Sequence, residues 1–132
     1  MSSYLLDTGI LIRHLRGHKP TVKLLRGLGG MGRLGVSTIT RLEIHAGMHP
    51  EEKVITRKLL SRFVTYDIDN FVADRAGEYI YKSRRKGVHL SIPDAIIGVT
   101  SVKHKLTLVT LNAKDFEFIP GIRIYPLADF PK

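Results

Sequence analysis

The sequence predicts an α/β fold, a central and mostly parallel sheet covered by helices on both faces. Three observations predict it. Short apolar runs, YLL at 4–6, LGVS at 34–37 and TLVT at 107–110, alternate with segments whose apolar residues recur at helical spacing. Proline and glycine punctuate the boundaries, with Pro20, Pro50 and Pro93 at helix starts and Gly17 and Gly87 at helix ends. At 132 residues and 43% hydrophobic, with no repeat, linker or low-complexity tract, the chain reads as one domain over 1–132.

Residues 4–6 are the first strand. Past Asp7 and Thr8, Ile10, Leu11 and Leu15 share a helical stripe that Gly17 closes. A short helix follows over 20–28, with Pro20 in its first turn, and the GLGGMGRLG stretch is expected to break it and connect flexibly to the second strand. Ser37-Thr38 offers an N-cap for a helix whose expected apolar face carries Ile39, Leu42, Glu43 and Ala46. Pro50 opens a helix through about 63, and VTYDID at 64–69 is the third strand or close to it. Asp69 or Asn70 caps a long helix striped by Phe71, Val72, Ala76, Tyr79 and Ile80. Pro93 starts a helix bearing Ala95, Ile96, Ile97 and Val99 that runs to about 105, and TLVT and RIYP (123–126) are the last strands.

Composition narrows the function classes. Twenty-one Lys and Arg against twelve Asp and Glu give a formal net charge of +9, which favours a polyanionic partner, nucleic acid or an acidic protein segment. The absence of cysteine excludes disulfides and thiolate metal sites and fits a reducing cytoplasm. No apolar run approaches the roughly 18 residues of a membrane span, and the N-terminus lacks a signal-peptide layout. GLGGMG at 27–32 matches G-x-G-x-x-G, but a predicted helix precedes it and a predicted strand follows. That order is the reverse of what places a helix N-terminus on a pyrophosphate, so a dinucleotide cofactor is not expected.

The acids carry the chemistry. Asp7 follows a predicted strand, where it serves equally as a helix N-cap or as a group at a sheet's carboxyl edge. Glu43 stands on a largely apolar helix and either turns to solvent or points at a core edge, where an unpaired carboxylate is costly. Asp94, in SIPDAIIG, sits in a first helical turn that favours acids through the macrodipole. Asn112 and Asp115, in TLNAKDF, are ordinary turn residues. Together, Asp7, Glu43 and Asp94 belong to helices that leave the same edge of a parallel sheet. Clustered carboxylates repel one another, and a hard divalent ion with oxygen ligands, Mg²⁺ or Mn²⁺, is their natural occupant.

LLDTGILI, TITRLEIHAG, SIPDAIIG and LVTLNAKDF, in that order, resemble the four signature segments of PIN-domain nucleases, most closely the VapC-type toxins of bacterial toxin–antitoxin pairs. The similarity covers essentially the whole chain. It implies a three-layer α/β/α sandwich, a metal-dependent endoribonuclease, a homodimer, and a cognate VapB-type antitoxin that blocks the site. By the same resemblance Asp7, Glu43 and Asp94 are the acids that hold Mg²⁺, and Asp115 is the acid that closes the last segment. Thr8, Thr110 and Asn112 line the pocket. Two positions depart from the pattern: Gly9 replaces a usual Asn or Ser, and Asn112 stands where some members carry a fourth acid.

The implied reaction is in-line attack of an activated water on phosphorus, leaving a 5′-phosphate and a 3′-hydroxyl, with Glu43 or Asp115 as base. RNA then needs cations around the acids. The candidates are Arg13 and Arg16 on the first helix, Arg41 beside Glu43, and Arg84, Arg85 and Lys86 of the SRRKG run. The competing reading is a non-catalytic PIN-like module that binds RNA or protein.

Overall fold

The computed structural model describes residues 2–131. In chain order the elements are β1 (Ser2–Leu6), α1 (Thr8–Leu15), α2 (Lys19–Met31), β2 (Gly32–Ser37), α3 (Thr38–Gly47), a 3-10 turn (Pro50–Glu52), α4 (Lys53–Leu60), β3 (Val64–Tyr66), α5 (Asn70–Arg85), α6 (Ile92–Lys103), β4 (Thr107–Val109), a second 3-10 turn (Ala113–Phe116) and β5 (Arg123–Ile124). The five strands form one sheet in the order β3-β2-β1-β4-β5. Every pair is parallel, with Tyr4 opposite both Leu34 of β2 and Thr107 of β4.

Alternation along β1 sends its side chains to both faces, which makes three layers. Tyr4 and Leu6 pack with Ile10, Leu11, Leu25, Leu28 and Leu60, so α1, α2 and α4 cover one face. Leu5 points the other way, onto Ile97, Leu106, Leu108 and Phe116, where α6 covers the sheet. Helix α5 lies outside α6, through Val72, Ala76, Ala95 and Val99. Two glycines permit close approach: a Cβ at Gly35 would run into the Tyr66 ring, and one at Gly98 into Ile119. Among the described residues no helix is long and apolar enough to cross a membrane.

The structure corrects four local expectations. Helix α2 is not broken by the glycine stretch but continues through GLGGM to Met31, and Gly32 already begins β2. Leu25 and Leu28 are buried, and their burial outweighs the roughly 1 kcal/mol penalty of each helical glycine. Strand β3 stops at Tyr66 rather than extending to Asp69, because Asp69 leaves the sheet to accept the Val72 amide as the N-cap of α5. The helix expected from Pro50 begins as a 3-10 turn and ends at Leu60. On α3 the buried residues are Thr40 and Ile44, while Leu42 is 61% exposed and Ala46 is exposed. The expected apolar face is therefore rotated, and Glu43 lies at its margin, half-buried.

Candidate active site

Parallel pairing carries the ends of β1, β2 and β4 to one edge of the sheet, and β1 lies between the other two. Asp7 is the first residue beyond β1, and its amide still donates to the Val109 carbonyl at 3.0 Å, so the sheet itself sets its position. As the N-cap of α1, its Oδ1 accepts the Thr8 amide at 2.8 Å. Its Oδ2 accepts the Thr110 hydroxyl, at the end of β4, at 2.7 Å. Both roles weighed for Asp7 are thus compatible: it caps a helix and stands at the sheet edge. Burial, foremost, and the nearby Glu43 and Asp115 charges hold its carboxyl above the ordinary value, against the lowering effect of the Thr110 and Thr8 hydrogen bonds.

Glu43 reaches the same place from α3. The Thr8 hydroxyl donates to its Oε1 at 2.7 Å, and the Thr40 hydroxyl lies 3.1 Å from that of Thr8. Thr8 has one proton, committed to the carboxylate, so Thr40 is the donor in the second contact. Thr40 was not singled out by sequence reasoning, although its place one helical turn before Glu43 is a signal for a shared face. Asp94 enters from α6, whose N-cap Ser91 accepts the Asp94 amide at 3.2 Å. Burial is the main cause raising the Asp94 carboxyl; the charges of Asp7, Asp115 and Glu43 add to it, and Ser91 opposes it. Asp115 is exposed on the 3-10 turn after β4 and joins the other acids through its charge. Asn112 differs: its backbone amide donates to the Thr110 hydroxyl at 3.0 Å, while its side chain is exposed and makes no capping bond.

The candidate cations separate into groups. Arg41 is half-buried, its guanidinium 3.5 Å from the Leu60 carbonyl and 3.4 Å from the Thr65 hydroxyl, so it holds α3 to α4 and β3. Arg13 is half-buried, and Arg16, Arg84, Arg85 and Lys86 are exposed. The ion pairs among the described residues are Arg75–Glu78 and Lys103–Asp69, so no Lys, Arg or His neutralises the four acids.

A divalent ion suits these residues chemically, because the donors are all oxygens, the charges repel, and no protein cation compensates them. As the side chains stand, no three His, Cys, Asp or Glu among the described residues close on one point as an ion cage. The threonine hydroxyls instead occupy one oxygen each of Asp7 and Glu43. Cavity size does not mark this edge. A cleft of about 710 Å³ lies elsewhere, lined by residues such as Leu25, Arg33 and Arg62, and includes none of the four acids.

Comparison with known proteins identifies the family. The PIN domain family matches residues 4–120. The ribonuclease VapC10 of Mycobacterium tuberculosis is 30% identical over 119 residues, spanning 90% of each chain. The tRNA(fMet)-specific endonuclease VapC of Salmonella typhimurium is 29% identical over 94% of this chain and 97% of its own. Among solved structures, DNA-bound VapBC from Salmonella typhimurium matches with a TM-score of 0.81 at 28% identity, covering 95% of this chain and 98% of that one. A toxin–antitoxin complex from Klebsiella pneumoniae matches with a TM-score of 0.75 at 31% identity, covering 93% and 96%. This chain belongs to the PIN domain family, and within it to the VapC group.

Proposed function

We propose that this protein is a metal-dependent endoribonuclease acting as the toxin of a toxin–antitoxin pair, with residues 1–132 working as one PIN-like domain. The observation that carries the reading is the meeting of mutually repelling acids from separate elements at the end of the central strand, with Asp7 and Asp94 both held above the ordinary carboxylate value. Asp7, Glu43 and Asp94 would hold Mg²⁺ or Mn²⁺ there. When bound, such an ion makes water more acidic and stabilises negative charge developing on a phosphodiester.

The chain's own groups supply the rest. The Thr8 amide and Thr110 hydroxyl fix both oxygens of Asp7, and the Thr8 hydroxyl fixes Oε1 of Glu43. These bonds orient the two carboxylates, as supporting partners of ligating groups do. Asp115, exposed at the mouth, accepts the proton of the attacking water, a role in which Glu43 is the second candidate. Because water rather than a ribose hydroxyl attacks, the products carry a 5′-phosphate and a 3′-hydroxyl. Arg84, Arg85 and Lys86 at the end of α5 hold RNA phosphates, Arg13 of α1 adds a further cation, Arg16 just past α1 lines a cavity shared with Glu43, and affinity falls steeply with salt.

The names of the relatives, ribonuclease and endonuclease, and the toxin–antitoxin complexes among the structural matches support this reading. They also support a VapB-type antitoxin as partner, to which we add a homodimer and a cytoplasmic location. The test is incubation of single-stranded RNA with the protein, with and without Mg²⁺, followed by mapping of the cut ends. Cleavage that needs the ion and leaves 5′-phosphates is expected. Cleavage that persists in chelator, or ends bearing a 2′,3′-cyclic phosphate, would overturn it.

A further inference from the structure

A second cavity, about 280 Å³, adjoins the acid cluster between α1, α3 and the Pro50–Glu52 turn. Glu43 belongs to both, since it meets Thr8 in the acid cluster and lines this cavity. We propose that the cavity receives one unstacked base beside the scissile phosphate and selects guanine, an inference that rests on the ribonuclease reading above.

Four features carry it. The volume falls below the roughly 300–1,000 Å³ of sites for drug-sized ligands, which suits a single ring system. The lining is mixed: Ile12, Leu15 and Met48 are apolar and can pack on a flat ring, while Arg16 and Glu52 supply polar groups that can bind its edges. Two carboxylates, Glu43 and Glu52, stand against the one guanidinium of Arg16 in a lining that also holds His49, a balance that favours a neutral base over the phosphate backbone. Finally, Glu52 is held in place: its Oε1 accepts the His49 amide at 2.8 Å in a capping box, which leaves the other oxygen to accept from a ligand.

Guanine matches this set. It presents adjacent N1–H and N2–H donors on one edge, for a carboxylate, and O6 and N7 acceptors on another, where arginine binds bidentately. Arg16 is exposed and forms no ion pair with the acids of the described residues. Single-stranded RNA is recognised in this way, through bases splayed out and read on their edges.

The experiment has two arms. In the first, guanosine, adenosine, cytidine and uridine are titrated by calorimetry into the wild-type chain and into Glu52→Gln. Glutamine serves the capping box as glutamate does, so the melting temperature of the variant checks that the turn is intact. Guanosine is expected to bind at least about ten-fold more tightly than the others, and the variant to lose that preference. In the second arm, cut ends are mapped on a random single-stranded RNA. Guanine should be enriched at one fixed position beside the cut, and the enrichment should vanish in Glu52→Gln and Arg16→Ala. A phosphate contact at Arg16 would instead weaken cleavage evenly across sequences. Enrichment of another base, no enrichment, or enrichment untouched by both variants overturns the proposal. RNA cleavage without base preference sinks the cavity's role and leaves the ribonuclease reading standing, whereas guanosine selectivity without RNA cleavage upholds the base site and removes the ribonuclease reading.

Discussion

The two edges of the sheet differ in charge, in size and in what they can do. At the carboxyl edge burial, with the charges of the neighbouring acids, raises the carboxyls of Asp7 and Asp94, and α1, α3 and α6 begin there, turning the positive ends of their dipoles toward the acids. At the amino edge, the end of α2 and the starts of β2 and β3 border the cleft of about 710 Å³, whose rim carries Arg26, Arg33 and Arg62. Helices α2 and α4 finish on that side, where cations suit a helix C-terminus. The larger cavity is thus the basic one, and the smaller region holds the reactive groups. The difference teaches that strand direction marks the site in this fold, because all the βα turns open on one edge. Volume does not mark it. It also shows that part of the net +9 charge lies well apart from the acids, so their repulsion stays uncompensated.

The contrast can be broken most directly at Asp7. Asp7→Asn should reduce RNA cleavage by about 10³-fold or more while the circular dichroism spectrum stays unchanged, as expected when one member of a cooperating set is lost. A variant with wild-type activity would erase the functional difference between the edges. Next is Thr110→Val, which removes the hydroxyl on Asp7 Oδ2 at nearly constant volume. Loss of such a supporting bond should lower kcat about 10–100-fold, and a change confined to KM would instead make Thr110 a substrate contact.

A pH experiment sharpens the electrostatic half. Asp7 and Asp94 have folded values raised above the ordinary 3.8. The folded state therefore holds their protons more firmly than the unfolded chain does. Their contribution to stability is full below about pH 3.8 and is lost as pH rises through the raised folded values. Without divalent ion, Asp7→Asn should flatten part of this fall relative to wild type, measured by urea denaturation from pH 3 to 8. An identical slope would show that Asp7 carries no such strain. The smallest effect belongs to the amino edge. Arg26→Ala and Arg33→Ala, both exposed, should shift stability by no more than about 0.5 kcal/mol and leave kcat on a short RNA unchanged. A large loss of kcat would connect the two edges.

Much of the architecture was legible from periodicity. The strand at YLL, the helix after Asp7, the Ser37 cap and the long helix between Asp69 and Gly87 all appear where the pattern placed them, because caps and apolar spacing act within a few residues. The failures have a common cause. The GLGGM segment looked like a breaker because glycine is a poor helix former locally, yet Leu25 and Leu28 anchor it to the sheet. Leu42 looked like core and is exposed, because α3 is rolled so that Thr40 and Ile44 face inward. Arg41 has a structural role that no local pattern showed, spanning α3, α4 and β3 through contacts to positions 19 and 24 residues away.

The sequence by itself determined which residues had the chemistry: acids after apolar runs, small hydroxyl residues beside them, and cations in clusters elsewhere. Those identities and their local caps depend on neighbours a few positions away. Only the tertiary structure decided that Thr110 would reach Asp7 across 103 residues and that Thr8 would meet Glu43 across 35. Parallel pairing of β1 with β2 and β4 brings those distant chain segments side by side, and no local pattern encodes the distance between them.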